Sequence, residues 1–152
     1  MKGKRVRKTL NIIGCGRVGK VLGRLWNQQD IFEVQDVLNR SVDSARRSVE
    51  FIGAGRPLDD YTALRAADLC LIGASDDQIV PCTTRLFETG GLRPGGILFH
   101  CSGALPSSIL RRDGVLSASV HPIRSFADPE QAARDFAGTW CGIEGEHGAM
   151  DV

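Results

Sequence analysis

The sequence lacks any apolar run near the ~20 residues that a membrane-spanning helix needs. Its basic start, residues 1–8, is followed by only a few apolar residues before Gly14, whereas a signal peptide needs roughly 7–15. The net charge is also small, at +1 for 152 residues, so the overall electrostatic field does not favour binding to a polyanion such as a nucleic acid. We therefore interpret residues 1–8 as a basic tail and expect neither a membrane nor a nucleic-acid partner.

Paired cysteines are absent as well. The five cysteines are odd in number, widely spaced and without a C-x-x-C motif: Cys15, Cys70, Cys82, Cys101 and Cys141. This pattern is typical of reduced, buried thiols in a cytoplasmic protein, and it favours neither disulfides nor a metal site. Cys15 precedes a predicted helix, where a thiol pKa can be lowered. Cys15 is therefore either a reactive thiol or a small side chain that a turn tolerates.

The sequence does contain a glycine-rich turn between a strand and a helix. The apolar run 10–13 leads into Gly14-Cys15-Gly16-Arg17-Val18-Gly19, a G-x-G-x-x-G motif in the context of a dinucleotide-binding βαβ unit. Gly14 permits the tight turn, Gly16 lets a pyrophosphate approach the backbone, and Gly19 lets the helix pack closely on the strand. The helix N-terminus presents free N–H groups to phosphates. We assign these six residues to cofactor binding; the alternative is a turn without a ligand.

The end of the second predicted strand, 32–38, indicates which dinucleotide is bound. NAD sites usually place a carboxylate there for the ribose 2′-hydroxyl, but this sequence has Asn39-Arg40-Ser41, and Asp36 lies too early in the strand. The planar Arg40 guanidinium suits a 2′-phosphate, and Ser41 can add donors at a helix start. NADP is therefore favoured over NAD, although Arg40 as a solvated turn residue and Ser41 as an N-cap remain alternatives.

Strands and helices alternate along the chain, which predicts an α/β fold. We expect a doubly wound, mostly parallel, Rossmann-like sheet with helices on both faces. The domain is expected over 9–146, with a frayed tail over 147–152. Further predicted strands span 69–74, 97–101, 115–120 and 139–143, and further helices span 41–52, 77–88, 107–112 and 128–136.

Seven segments together resemble the N-terminal half of one bacterial protein family. They are GCGRVG (14–19), LNRS (38–41), FIGAG (51–55), GASDDQI (73–79), FHCSGA (99–104), SVHPIRSFADP (119–129) and GTWCGIEG (138–145). The family joins a Rossmann-like domain, assigned to NADP-dependent oxidoreductases, to a helical C-terminal domain of unknown function. It is similar in plan to pyrroline-5-carboxylate reductase, ketopantoate reductase and 6-phosphogluconate dehydrogenase. The sequence ends at Val152, where that helical domain would begin, so we expect a fragment or a stand-alone module.

The resemblance implies an arrangement of the cofactor along the strand ends. Asn39, Arg40 and Ser41 would lie at the adenosine end, and Ser75 and Asp76 in the middle. Three residues would lie near the nicotinamide: His100, Ser102 and Gly103. The implied reaction is hydride transfer between NADP and a small carbonyl, imine or alcohol, in a protein that can form a homodimer.

Two histidines stand at predicted strand ends, where a proton-transfer group can act. For His100, catalysis and the anchoring of a loop remain equally open, whereas for His121 anchoring is favoured because His-Pro leads into a turn. Ser102 is either a catalytic hydrogen-bonding group or a turn residue. Arg124 is more readily a surface residue than an anion-binding one.

Two other functions remain open. The first is a non-catalytic dinucleotide-binding or sensing module. The second, ranked lower, is an S-adenosylmethionine-dependent methyltransferase, which usually has an acidic residue where this sequence has Asn39-Arg40-Ser41. A helical domain encoded directly downstream would favour the oxidoreductase over the sensing module.

Overall fold

A computed structural model describes residues 6–152 of the chain. Most of the predicted basic tail lies outside the described residues, and Lys8 already begins the first strand. Within the described part, no helix is both long and apolar enough to traverse a bilayer.

Seven strands form one sheet in the order β3-β2-β1-β4-β5-β6-β7. They are β1 Lys8–Ile13, β2 Phe32–Leu38, β3 Arg56–Leu58, β4 Ala67–Ile72, β5 Leu92–His100, β6 Leu116–Pro122 and β7 Cys141–Gly145. Every neighbouring pair is parallel except β6 and β7, which are antiparallel. The predicted mostly parallel α/β fold is therefore confirmed.

The α-helices cover both faces of the sheet. They are α1 Arg17–Gln28, α2 Val42–Ile52, α3 Ile79–Thr89, α4 Pro129–Arg134 and α5 His147–Met150. Local sequence sets their ends: Ser41 caps the start of α2 and Gly53, at φ 82°, ends it. Asp128 caps α4 with Pro129 in its first turn, as the sequence predicts.

The central strands are buried on both faces, as their continuous apolar runs predict. On one face, Ile12, Leu71 and Phe99 belong to the cluster that includes Ile52 of α2. On the other face, Ile72 and Leu98 pack in the cluster with residues of α3. The strand ends are thereby fixed along one edge of a rigid sheet.

Two predicted elements differ from the structure. The predicted strand 97–101 begins earlier, since β5 starts at Leu92 and includes Gly95, at φ 74°, in an irregular stretch of its pairing with β4. The predicted helix 107–112 is only a short 3-10 helix, Ser107–Leu110. Its start is fixed from outside, since both Ser107 N–H and Ser107 Oγ donate to the carboxylate of Glu144.

The residues predicted as a frayed tail, 147–152, also differ, because they include α5. Ala149 is buried, and the preceding Glu146 accepts a hydrogen bond of 2.7 Å from Ser117 N–H on β6. Backbone bonds from Ala149 and Met150 to Glu146 O complete the turn. The segment is therefore held against the sheet.

Candidate functional site

A polar cleft of about 490 Å³ opens at the carboxyl ends of β1, β2 and β4. The sheet order reverses here, since the chain leaves β1 for β2 on one side and returns to β4 on the other. Ligands of open α/β sheets bind at such switch points. Residues from several loops and from α2 and α3 line the cleft: Gly14, Cys15, Gly16, Asn39, Arg40, Ser44, Tyr61, Ser75, Gln78, Cys82 and Arg85.

Gly14 and Gly16 of the turn lack a side chain for different structural reasons. Gly14 has a φ of 69°, and a Cβ there would lie 2.8 Å from Ala74 backbone atoms, so both turn and loop packing require glycine. At Gly16 a Cβ would meet only the Gly73 carbonyl, at 3.9 Å. None of residues 6–152 therefore fills the space in front of Gly16, which leaves it open to a ligand.

The N-terminus of α1 faces this open space without a protein cap. Gly16 is the N-cap, and the first turn carries no acidic side chain. Within residues 6–152, the N–H groups of Arg17, Val18 and Gly19 have no hydrogen-bond acceptor. Free N–H groups at the positive end of a helix dipole form a ready site for an anion.

Asn39 holds the glycine turn from behind. Its Oδ1 accepts the N–H of Cys15 at 2.7 Å, and its Nδ2 donates to Ser44 Oγ and Ser48 Oγ. The side chain is buried, so its polar atoms are committed to the protein. Asn39 also lines the cleft, and its contact with the adenosine end stays a prediction.

Cys15 points into the core next to Asn39. Burial raises the pKa of its thiol to about 12, which outweighs the opposing effects of the Ser48 hydrogen bond and the Lys20 charge. The thiolate is the reactive form of cysteine. The structure therefore supports the small turn residue and not the reactive thiol, and only the backbone of Cys15 faces the cleft.

Arg40 and Ser41 lie at the rim of the cleft. Arg40 is exposed and, in the described part of the chain, makes no hydrogen bond or ion pair. The Ser41 oxygen accepts the Ser44 N–H at 3.2 Å, which is the N-cap role. Arg40 thus has a guanidinium available to a ligand, whereas Ser41 retains only its O–H.

Ser75 and Asp76 follow β4 and differ in position. Ser75 lines the cleft and donates to Asp77 Oδ1 at 2.8 Å. Asp76 is exposed and starts a short 3-10 helix, Asp76–Gln78, outside the cleft lining. Hydrogen bonds from Ser75 and Gln78, with a smaller effect of the Arg40 charge, hold the pKa of Asp77 below its ordinary value.

His100 is completely buried at the end of β5. Its Nε2 lies 3.1 Å from the carbonyl oxygen of Pro106, so this nitrogen carries the proton and donates. Its Nδ1 accepts the N–H of Ser102 at 3.1 Å. Both ring nitrogens are used by the backbone, which supports loop anchoring over the catalytic role that the sequence left open.

Ser102 shapes the same loop, since its Oγ accepts the N–H groups of Ala104 and Leu105 at 3.1 and 3.2 Å. Gly103 packs against the ring of His121 and is outside the cleft lining. Arg124 is bound to Asp135, with Nη2 2.5 Å from the carboxylate, and only 19% of its side chain is exposed, so its guanidinium is engaged inside the protein and is free neither at the surface nor for a substrate. The predicted site residues therefore fall into two groups, one around the cleft and one at the ends of β5 and β6.

Comparison with known proteins decides the family. A model of the Rossmann-like domain family matches residues 2–122. The chain belongs to the Rossmann-like domain family. No curated protein matches it.

Several solved structures share the fold of this Rossmann-like domain. One is a "putative NADP oxidoreductase" from Bacteroides fragilis, with a TM-score of 0.79 and 19% identity over 92% of this chain and 52% of that one. Synechocystis arogenate dehydrogenase has a TM-score of 0.72 and 15% identity, over 93% of this chain and 51% of that one. Pyrroline-5-carboxylate reductase from Coxiella burnetii has a TM-score of 0.69 and 16% identity, also over 93% of this chain and 51% of that one. The chain spans about half the length of each, and the predicted resemblance to a Rossmann-like domain is confirmed.

Six residues of this Rossmann-like domain with polar side chains line the cleft without having been predicted from the sequence. They are Ser44 on α2, Asp59 and Tyr61 after β3, and Gln78, Cys82 and Arg85, which lie on or just before α3. The Arg85 guanidinium lies 5.7 Å from the Tyr61 ring centroid. The sequence could have predicted that Gln78, Cys82 and Arg85 lie together, because spacings of four and three residues place side chains on one face of a helix.

Proposed function

We propose that this Rossmann-like domain binds a dinucleotide in the polar cleft, as the cofactor-binding part of an oxidoreductase, and that NADP is preferred over NAD. The observation that carries the proposal is the open glycine turn. Gly16 has empty space in place of a Cβ, directly before three N–H groups without acceptors. A pyrophosphate fits both features, since it is anionic and needs close approach to the backbone.

Two residues at the tip of β2 support the preference for NADP. Arg40 offers a free guanidinium at the rim of the cleft, which suits a 2′-phosphate as a charged planar donor. Asn39 occupies the position where NAD sites usually hold the ribose with a carboxylate, but its amide is turned inward to Cys15 and Ser48. Within residues 6–152, this tip carries no carboxylate for a 2′-hydroxyl, and the carboxylate that lines the cleft, Asp59, follows β3 instead.

The chemistry follows from the cofactor. A nicotinamide dinucleotide supplies hydride transfer, while the protein binds it, orients it and sets the electrostatics. A small carbonyl, imine or alcohol is the proposed substrate class.

A non-catalytic dinucleotide-binding module is the second candidate. It is favoured by one observation, namely that His100 and Ser102 are both engaged by the backbone of their own loop. Such a module would bind NADPH without consuming it in the presence of any substrate.

The preference for NADP is tested by titrating the protein with NADPH and with NADH. We expect Arg40→Ala to weaken NADPH binding by about tenfold or more, because charge-assisted hydrogen bonds contribute about 1.5–3 kcal/mol. NADH binding should change by less than about twofold, since NADH has no 2′-phosphate. Arg47→Ala is the matched control, an exposed arginine on α2 outside the cleft lining. Equal affinities for the two cofactors, unchanged by Arg40→Ala, would contradict the preference.

A further inference from the structure

We infer that His121, through its Nε2, exchanges a proton with the substrate in the reaction of this domain. The inference rests on the proposed function and deepens it, because it names the residue that accompanies hydride transfer. It replaces His100, whose ring nitrogens are both bonded to backbone groups inside the protein.

The hydrogen bonding of His121 leaves Nε2 free. Its Nδ1 lies 3.2 Å from the carbonyl oxygen of Cys101. A carbonyl can only accept, so Nδ1 carries the proton and donates, and Nε2 keeps its lone pair. Within residues 6–152 Nε2 has no partner, although no buried polar side-chain atom there lacks one. Nε2 is therefore not completely buried.

Gly103 packs directly against that nitrogen. A Cβ at residue 103 would lie 2.6 Å from Nε2 and 2.7 Å from Cε1 of His121. The backbone of Gly103 is not in the left-handed region, so the close approach to the imidazole, and not the turn, excludes a side chain. Any larger residue would displace the ring or cover Nε2.

The position along the sheet fits the chemistry. His121 lies on β6, next to β5 and two strands from β4. Arg40 follows β2, on the other side of the glycine turn after β1. A dinucleotide whose pyrophosphate lies over the turn, with its 2′-phosphate at Arg40, therefore extends its nicotinamide end toward the loops after β4, β5 and β6.

The proton balance of the reaction needs such a group. When an alcohol is oxidised, its carbon loses a hydride with both electrons to the oxidised cofactor, and its hydroxyl loses a proton. Nε2 accepts that proton as the carbon–oxygen double bond forms, and later releases it to solvent. In the reverse direction, the protonated Nε2 gives its proton to the carbonyl oxygen or imine nitrogen that the hydride reduces.

The test measures chemical accessibility, which needs no known substrate. Diethyl pyrocarbonate acylates unprotonated imidazole nitrogens, and mass spectrometry locates the product. The chain supplies its own controls, since His100 is buried and His147 is exposed. We expect His121 and His147 to react and His100 to stay unmodified.

Ligands then place His121 relative to the cofactor. At ten times its Kd, NADPH should slow modification of His121 about tenfold, because about one site in eleven is then empty. The fragment 2′,5′-ADP, which has the adenosine half alone, should leave that rate unchanged, and neither ligand should protect His147. Bound NADPH that fails to protect His121 would overturn the inference while leaving the proposed function intact. Failure of NADPH to bind would overturn both.

A variant tests the role of Gly103. Gly103→Ala should lower the modification rate of His121 without any ligand. His121→Gln should remove the modified site. Unchanged reactivity of His121 in folded Gly103→Ala, judged by its melting temperature, would contradict the assigned geometry.

Discussion

At the scale of single residues, Asn39 connects the glycine turn to α2. Its side chain is the acceptor for the Cys15 N–H and the donor to two serines. A buried N–H that loses its acceptor costs about 1–3 kcal/mol. The shape of the turn, and with it any ligand bound there, depends on this one amide.

Replacing Asn39 by alanine should therefore affect stability and binding together. We expect the free energy of unfolding to fall by about 2–3 kcal/mol, since three hydrogen bonds are lost. NADPH and NADH should both bind more weakly and by similar factors, in contrast to Arg40→Ala. Urea unfolding and cofactor titration measure the two effects. Selective loss of NADPH binding at unchanged stability would instead indicate direct contact with the 2′-phosphate.

The sequence placed both histidines at strand ends but did not distinguish their roles. A strand end fixes where the backbone of His100 or His121 lies, whereas the role depends on which carbonyl each ring nitrogen meets. Those carbonyls, Pro106 O and Cys101 O, belong to a loop whose path no local pattern specifies. The role of Cys15 could not be predicted from the sequence for the same reason, because the glycine motif alone does not show whether its side chain points into the core.

At the scale of secondary-structure elements, the packing of α1 on the sheet depends on a glycine outside the motif. A Cβ on Gly19 would lie 3.4 Å from Ile12 and 3.6 Å from Cys15, which are ordinary contacts. A Cβ on Gly23 would lie 3.0 Å from Ile12 and 3.1 Å from Ile52. The close approach predicted for Gly19 is therefore made mainly by Gly23.

These two glycines form a matched pair for a stability measurement. Alanine favours a helix over glycine by about 1 kcal/mol, whereas overpacking a core costs about 1–3 kcal/mol. Gly19→Ala should therefore leave the free energy of unfolding unchanged or raise it by up to about 1 kcal/mol, with no steric cost. Gly23→Ala should lower it by about 1–2 kcal/mol. Equal effects of the two substitutions on urea unfolding would contradict this packing.

The sequence predicted the buried strands better than the short outer elements. Continuous apolar runs such as 69–72 and 97–99 identify β4 and β5 because both faces are covered. The antiparallel direction of β7 and the docking of α5 depend on contacts with β6, which are distant in sequence. Local patterns carry no such information.

At the scale of the whole molecule, a buried carboxylate ties the β3 edge of the sheet together. The Asp36 side chain is fully buried on β2, with its Oδ1 3.0 Å from Arg56 Nε and 2.6 Å from Arg65 Nη2. Burial alone would raise the pKa of Asp36, but hydrogen bonds from Arg65 and Arg56 outweigh this and hold it below 3.8. Asp36 is thus structural, in agreement with its position too early in the strand for a ribose.

This carboxylate should contribute stability that depends on pH. Because its folded-state pKa is lowered, the contribution is fully present above pH 3.8 and is lost as the pH falls through the folded-state value. Asp36→Asn should lower the free energy of unfolding by about 2–3 kcal/mol at neutral pH. The difference from wild type, measured by urea unfolding, should shrink only below the ordinary pKa. A difference that already declines between neutral and weakly acidic pH would contradict the assignment.

The alternation of strands and helices was sufficient to predict the fold class. It did not predict the full lining of the cleft, because Tyr61, Cys82 and Arg85 come from elements that meet only in three dimensions. Homodimer formation, the domain limits and the identity of the substrate stay predictions. The glycine turn could be predicted from the sequence because Gly14 and Gly16, which line the cleft, belong to one continuous motif, residues 14–19.

The most direct test of a dinucleotide over the glycine turn is the affinity of Gly16→Ala for NADPH. The added methyl group would meet only the Gly73 carbonyl, at 3.9 Å, and the backbone at residue 16 is extended, with φ −84° and ψ −154°. The melting temperature should therefore stay unchanged. NADPH affinity should fall by about tenfold or more, equivalent to about 1.4 kcal/mol, because the methyl group occupies the space of the pyrophosphate. Unchanged affinity in the folded variant would contradict the proposed site.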